Sequence, residues 1–445
     1  METPLQTARH KRGWSQSRLI WELTQLAKRK GCSIATAASL KTLVSRWENG
    51  HATPDSFHQP LLCELYKATP SELGFGYQTL PEHLSASAQS ADELLCKTKF
   101  TRDDLESLSR KFDDALARSS VDDINHLAHE WLIAEPPQVI ELAHGRRIGS
   151  SLVASVEHRV IQLRRADDFL SGRDSHVLIR KELQKTVRLL EKASYNDDEA
   201  RRLLTAIGEL AQLALWVAAD AGLYAEAARY TVYGLLAAHA ANNLPLAANI
   251  ISTFSYQVAN TGNPHHAAVL ARTAYAGTRR NASATTKALL LERIAWADAK
   301  SGKLRSCEYA LGQVQDAFNQ SKPEDDPDWV YWLNQEEIDV MAGRCYTELR
   351  KPKLAEPLLH NALDNYNHAL VRENSLYLSW LAEDYIQLNE IDHAASVATE
   401  VLTLASRTNS ARTSDRLHHL AKLLKRYGTA RNVAKFLDLY KDLAA

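Results

Sequence analysis

The chain has few cysteines and none in a useful pattern. Among its 445 residues there are five, Cys32, Cys63, Cys96, Cys307 and Cys345, scattered and odd in number. No two have the Cys-x-x-Cys spacing of a zinc or redox site, so they read as reduced thiols of a cytoplasmic protein. No run of about 18 apolar residues is found, so no membrane span and no membrane partner is expected. The N-terminus, METPLQTARHKRGW, carries charges with no apolar stretch behind them, and does not read as a signal peptide. A phosphate-cradling glycine loop, a His-Glu-x-x-His pair and a nucleophile elbow are all missing. No enzyme activity, no cofactor and no metal are therefore expected. The adjacent pairs His265-His266 and His418-His419 do not alter this. Neighbours on a helix point about 100° apart, so they seldom share a metal, and solvated turn residues are the better reading.

What is present is ordinary for a folded protein: 45% hydrophobic and 24% charged residues, enough to bury a sizeable core. The length suggests two or three domains, or one small domain and an extended array. The net charge of −1 hides an asymmetry. Residues 1–60 hold nine Lys/Arg against four Asp/Glu, and the remainder holds 44 against 50. A basic head on an acidic body suggests that the head meets a polyanion, although surface charge also drifts along any chain.

The head reads as a set of short capped helices. Pro4 opens the first and Gly13 ends it. Ser15 caps a second from Gln16, with Leu19, Ile20, Leu23, Leu26 and Ala27 at helical spacing and Lys28-Arg29-Lys30-Gly31 as its stop. Ser39 is expected to cap a third helix that buries Leu40, Leu43, Val44 and Trp47. Lys41, Thr42, Ser45 and Arg46 then point away from the core, and Gly50 ends the helix. A fourth helix is expected around 57–67, followed by a capped turn at 69–73.

Taken in order, Leu5 to Gly13, Trp14-Ser15-Gln16, Ser45-Arg46-Trp47-Glu48-Asn49-Gly50, Pro54 and Leu61, Leu62, Leu65, Tyr66 resemble the XRE-type (Cro/repressor-type) helix-turn-helix domain, over residues 4–76. The resemblance implies a third helix lying in the major groove of double-stranded DNA. Lys41, Thr42 and Ser45 would then reach base edges, and Gln16, Arg46 and His51 would hold phosphates. Trp47 is expected in the core, and Glu48 in an internal contact because its charge would repel phosphate. One departure stands out: 23 residues separate Gln16 from Ser39, so the second helix is longer than in a compact repressor unit and GCSIATAA forms a real loop.

Residues 77–100 are Ser- and Ala-rich and read as a linker. Residues 101–200 read as a helical connecting region, with a break at Glu135-Pro136-Pro137, a long helix over 138–170 and an early repeat unit around Gly172. Residues 201–445 read as an array of helix pairs. Turns at Gly222, Gly262 and Gly302 are 40 apart, and five residues beyond each stands a small residue, Ala227, Ala267 or Cys307. The pattern returns near 350 with Ala355, near 389 with Ala394, and near 428. Helix, turn, helix, with a small residue early in the second helix, is a unit that buries its face only by stacking on neighbours. It resembles the tetratricopeptide repeat with lengthened helices. An irregular helical bundle is the alternative. The whole is expected to be all-α, and resembles actinobacterial XRE regulators with helical-repeat bodies and, more loosely, peptide-sensing regulators of Gram-positive bacteria.

That register places Glu209, Gln212, Trp216 and Asp220 on the concave face of one unit, and Asn249, Ser252, Tyr256 and Asn260 on that of the next. Glu292, Trp296 and Lys300 follow, then Glu337 and Arg344, then Ser379, Glu383 and Gln387. Trp216, Tyr256 and Trp296 would form an aromatic file, with amides beside it that suit a peptide or small-molecule effector. The candidate ligand residues are Gln212, Trp216, Asn249, Ser252, Tyr256, Asn260, Trp296 and Arg344. The tryptophans could equally be packing residues, and the asparagines solvated. The stretch EDDPDWVYW, 324–332, reads as an insertion between units or as a partner-contact loop. Two functions follow. One is a ligand-controlled, homodimeric transcription regulator in which the effector changes the spacing of the heads, with a nucleoid-associated location when on DNA. The other is an interaction scaffold whose head docks or autoregulates.

Overall fold

The computed structural model describes residues 3–29, 37–49, 54, 58–68, 73, 121–133, 146–169, 172–367, 369–407 and 410–444. Among these residues the chain is all-helical: nineteen α-helices, three short 3-10 turns and one two-residue parallel bridge. It divides into two compact units, Met1–Ser87 and Ala88–Ala445. The expected linker at 77–100, the stretch 101–120, the Pro136-Pro137 break, the loop at 30–36 and the turn residues Gly50 and Pro70 lie outside the described residues.

The first unit holds four helices, α1 (Pro4–Lys11), α2 (Gln16–Arg29), α3 (Ala37–Glu48) and α4 (His58–Tyr66). The hydroxyl of Thr3 accepts from the Gln6 N–H and donates to the Glu48 carbonyl, so it caps α1 and ties it to the end of α3. Gly13 takes the left-handed conformation, φ 63°, that ends the first helix. Ser15 Oγ accepts from the Arg18 N–H at 3.1 Å, as a cap of α2 should. The third helix begins at Ala37, so Ser39 lies inside it and is not its cap. Ala37 and Ala38 extend the helix backwards because alanine has the highest helix propensity. Leu5, Leu19, Leu23, Leu40, Val44 and Leu62 close over one another as the core.

In the second unit, α5 spans Val121–Ile133. The helix expected from 138 begins only at Ser150. Residues 146–147 are instead extended and pair with 193–194, and Gly149 stands at the helix start. Helices α6 (Ser150–Asp167) and α7 (Gly172–Lys192) pack together, which gives the earlier pair suspected near Gly172. Next comes α8 (Asp197–Asp220), opened by a capping box between Asn196 and Glu199. This helix corrects the expectation about apolar runs: it is 24 residues long, and its most apolar 18 residues have a mean hydropathy of 1.3, enough by length and composition to cross a membrane. Its best window is 72% buried inside the unit, against the neighbouring helices.

The remaining helices come in succession as α9 (Tyr224–Ala240), α10 (Leu244–Thr261), α11 (Pro264–Thr278), α12 (Ala284–Lys300), α13 (Leu304–Phe318), α14 (Gln335–Glu348), α15 (Pro352–Asn365), α16 (Val371–Gln387), α17 (Ile391–Ala405), α18 (Ala411–Leu424) and α19 (Arg431–Ala444). From α8 to α17 each even-numbered helix packs on the odd-numbered helix that follows it and on the next even-numbered one. The last two rest chiefly on α16 and α17.

The turns within pairs repeat one hydrogen-bond pattern. At Gly222, φ 76°, the Gly222 N–H reaches the Ala219 carbonyl and the Leu223 N–H reaches that of Ala218. Gly302, Arg350 and Asn389 repeat both bonds with φ of 71°, 58° and 64°. This is the left-handed helix stop that satisfies the last carbonyls. Gly262 differs: its φ is −133°, and the next helix starts afresh with Asn263 as cap and Pro264 in the first turn. Gly428 differs too, at φ −60° after a 3-10 turn. Ala227, Ala267, Cys307, Ala355 and Ala394 are all fully buried, because each sits where the two helices of a pair come closest.

The succession also closes on itself. Asp220, the last residue of α8, accepts from Ser410 Oγ at 2.7 Å, Arg412 Nε at 2.7 Å and Arg372 Nη1 at 3.5 Å. Arg372 reaches on to Asp167 of α6 at 3.4 Å. Helices α6 and α8 are thus joined to α16 and α18 by ion pairs across more than 150 residues of sequence.

Candidate functional site

The head presents one polar face on α3. Lys41 and Arg46 are exposed and Ser45 is half-buried, while Leu40, Val44 and Trp47 are buried on the other side. The side chain of Thr42, and His51 entirely, lie outside the described residues. What fixes this helix is Glu48. It is 1% exposed and accepts from Arg9 Nε at 2.6 Å and Arg9 Nη2 at 2.9 Å. It also accepts from Gln16 Nε2 at 2.8 Å, so the residue expected on a phosphate is held at the start of α2 by the same carboxylate. Trp47 packs in the core with its ring 5.0 Å from that of His58.

The body holds a partly open cavity of about 500 Å³. Its walls come from the even-numbered helices α6 to α18 together with the segment that precedes α14. Of the eight candidate ligand residues, Gln212, Trp216, Asn249, Tyr256 and Arg344 line it, and Ser252, Asn260 and Trp296 do not. The aromatic file exists: ring centroids lie 6.1 Å apart for Trp216 and Tyr256, and 6.3 Å apart for Tyr256 and Trp296. Only its first two members reach the cavity. Trp296 is fully buried, donates Nε1 to Asn260 Oδ1 at 3.2 Å, and packs edge-on against Trp380. Asn260 is held there, its Nδ2 on the Tyr256 carbonyl at 2.7 Å. Ser252 gives its hydroxyl to the Asn249 carbonyl. Ser252 and Trp296 are therefore packing groups, and Asn260 is exposed with its amide engaged by its neighbours.

The segment 323–334 folds back over the body. Asp328 accepts from Arg165 at 2.8 Å and Arg164 at 3.4 Å, both on α6, and Tyr331 donates to Asp168 at 2.5 Å. Thr285 holds Asp326 at 2.6 Å. The acidic residues serve as anchors, and Trp329, Tyr331 and Trp332 form one wall of the cavity.

Inside, the charges are unevenly matched. Arg372 meets Asp167, Asp220 and Glu373, and Arg164 meets Glu209 and Asp328. Arg293 and Arg344 meet no carboxylate among the described residues. Arg344 Nη2 donates to the Tyr256 hydroxyl at 2.7 Å, and its guanidinium lies over the rings of Trp296 at 4.7 Å and Trp380 at 5.2 Å. Arg293 lies 4.7 Å from the Tyr256 ring. Burial alone would raise the Tyr256 phenol, but Arg344, Arg412 and Arg293 outweigh it and bring it down to about 8. Burial pushes the Glu292 carboxyl up to about 8, with Arg293 opposing and Glu337 assisting, so it is mostly protonated at neutral pH. Glu337 is also pushed up by burial while accepting from the hydroxyls of Tyr366 and Tyr377.

Sequence reasoning missed Arg293, Arg372 and Arg412, and the role of the 323–334 segment. A signal for Arg293 was available: Glu292-Arg293 interrupts the apolar run from Ala288 to Ala299. The expected concave positions Ser379 and Glu383 serve instead to hold Arg416, at 3.1 and 2.8 Å. The His419 ring lies 3.2 Å from Glu383, so it partners a buried carboxylate from within α18 and does not stand at a turn. Among the described residues no group of three or more His, Cys, Asp and Glu is arranged to hold a metal ion. No protein-family model matches the chain, and no curated protein matches it.

Proposed function

We propose that the protein is a sequence-specific DNA-binding transcription regulator, with an XRE-type helix-turn-helix head and a tetratricopeptide-like repeat body that senses a peptide or small molecule. Two copies act together on a two-fold DNA site in the cytoplasm. The observation that carries the reading is the division of α3: Lys41 and Arg46 outward, Leu40, Val44 and Trp47 inward, with the whole helix braced by the Arg9–Glu48 pair. A helix held rigidly from behind, with cations and a hydroxyl in front, suits a major groove whose base edges are read by short polar side chains. The cavity, lined by aromatic rings together with a few charged and amide groups, supports the sensing half of the reading, since effector sites are concave, largely apolar and few per protein. The effector need only prefer one state of the dimer to change its DNA affinity.

The test is a pull-down of sheared genomic DNA with the full chain, beside Lys41→Ala and Ser45→Ala variants. A few enriched sites sharing a two-fold motif are expected, with affinity falling linearly in log salt. Lys41→Ala should cost about 1–3 kcal/mol at one base position and relax specificity there. If folded protein enriches nothing, with or without cell extract, the DNA reading fails and the body remains as an interaction scaffold.

A further inference from the structure

The cavity holds two cations that folding alone does not account for. Arg293 is 7% exposed and Arg344 is 5% exposed. Neither has an ion-pair partner among the described residues, and Arg293 has no hydrogen bond there either. An unpaired buried guanidinium carries a large desolvation penalty, so a chain selected for stability alone would replace it. Both lie against the ring of Tyr256, at 4.7 and 5.5 Å, and both line the cavity. Their nearest carboxyl on α12, Glu292, has a buried Oε1 with no hydrogen-bond partner, so it does not neutralise them by contact.

We propose that the cavity binds a small organic anion, whose carboxylate or phosphate sits between Arg293 and Arg344 while its apolar body lies against Trp216 and Trp332. This rests on the reading of the body as a sensor and names the class of its effector. Guanidinium groups match both acid types by forked hydrogen bonds. A volume of about 500 Å³ is in the range of sites for small molecules.

The experiment is calorimetric titration of the full chain, with tryptophan fluorescence alongside, using phenylacetate and phenyl phosphate as anions and phenylacetamide as the neutral match. Saturable binding of at least one anion, about tenfold or more tighter than the amide, is expected. Arg293→Met should weaken that binding by about tenfold or more while leaving thermal stability unchanged or raised, because it removes an unpaired buried charge. Glu292→Gln should keep the binding within about threefold, since the carboxyl is already mostly neutral. Equal affinity for the amide, no saturable binding of either anion, or a destabilised Arg293→Met that still binds would overturn the proposal. None of these readouts uses DNA. A chain that binds the anion but enriches no sites would sink the regulator reading and leave this one standing.

Discussion

In the head, Lys41 and Arg46 stand in solvent on α3, and the buried cation Arg9 meets a carboxylate through two of its nitrogens. In the body, Arg164, Arg293, Arg344 and Arg372 are all buried, and two of the four have no carboxylate against them among the described residues. Arg46 of the head thus faces solvent, while Arg293 and Arg344 of the body line a cavity. An outward cation costs folding little and is free to meet a polyanion. An inward cation must be compensated, and where protein does not compensate it, an occupant can. The head is therefore organised around a surface and the body around an interior.

The largest expected effect comes from breaking the interior at its closure. Asp220→Ala would leave Arg412 buried without a carboxylate and take one of three from Arg372. Removing one partner of a buried pair costs about 3–5 kcal/mol, and here Arg412 and the Ser410 hydroxyl lose their acceptor while Arg372 keeps two carboxylates. Denaturant unfolding followed by tryptophan fluorescence should show the midpoint of the body's transition fall. An unchanged midpoint would mean that apolar packing holds the ends together unaided. The matching change in the head, Glu48→Ala, strands Arg9 and frees Gln16, and should cost about 3 kcal/mol. Its effect should be confined to the head and should remove duplex binding with α3 unbraced. If stability falls but duplex affinity does not, the brace is not what presents the helix.

How much of this was legible beforehand differs between the two units for a physical reason. Caps and periodicity are local, so the head's helices could be read from Pro4, Gly13 and Ser15, and only the start of α3 was misjudged. The helix pairs were readable for the same reason. Even Arg350 and Asn389, which lack the glycine signal, were located because Ala355 and Ala394 stand five residues on. The closure was not readable, because an ion pair between residues 152 apart leaves no periodic trace. Nor was the split in the aromatic file: spacing placed Trp216, Tyr256 and Trp296 in a row, but only the packing of Trp380 and Asn260 around Trp296 decides that it faces away from the cavity.

Acidity offers a milder way to sharpen the contrast. Glu292 is pushed up to about 8 by burial, so the folded chain keeps a proton there that the unfolded chain releases in the ordinary glutamate range. Stability from this group is complete below that range and declines as pH rises towards about 8, since the folded state then binds the extra proton. Asp384, also raised to about 8 by burial, works in the same direction. Glu292→Gln should flatten the fall in the body's melting temperature across that window. A slope identical to that of the parent would place the responsible groups elsewhere.

The smallest effect concerns the turns. Arg350 holds a left-handed φ of 58° that a side chain disfavours by about 1 kcal/mol or more. Its guanidinium touches Glu383 at 3.5 Å, but the side chain is 64% exposed, and such a pair is worth little. Arg350→Gly removes the steric cost and adds freedom to the unfolded chain, so a net gain of about 0.5 kcal/mol is expected. Asn389→Gly at φ 64° should gain less, because asparagine tolerates this conformation. The order of the two melting shifts is the informative result. If Arg350→Gly proves the less stable, the contact with Glu383 outweighs the strain, and even a half-exposed arginine in this body is held for the charge it faces.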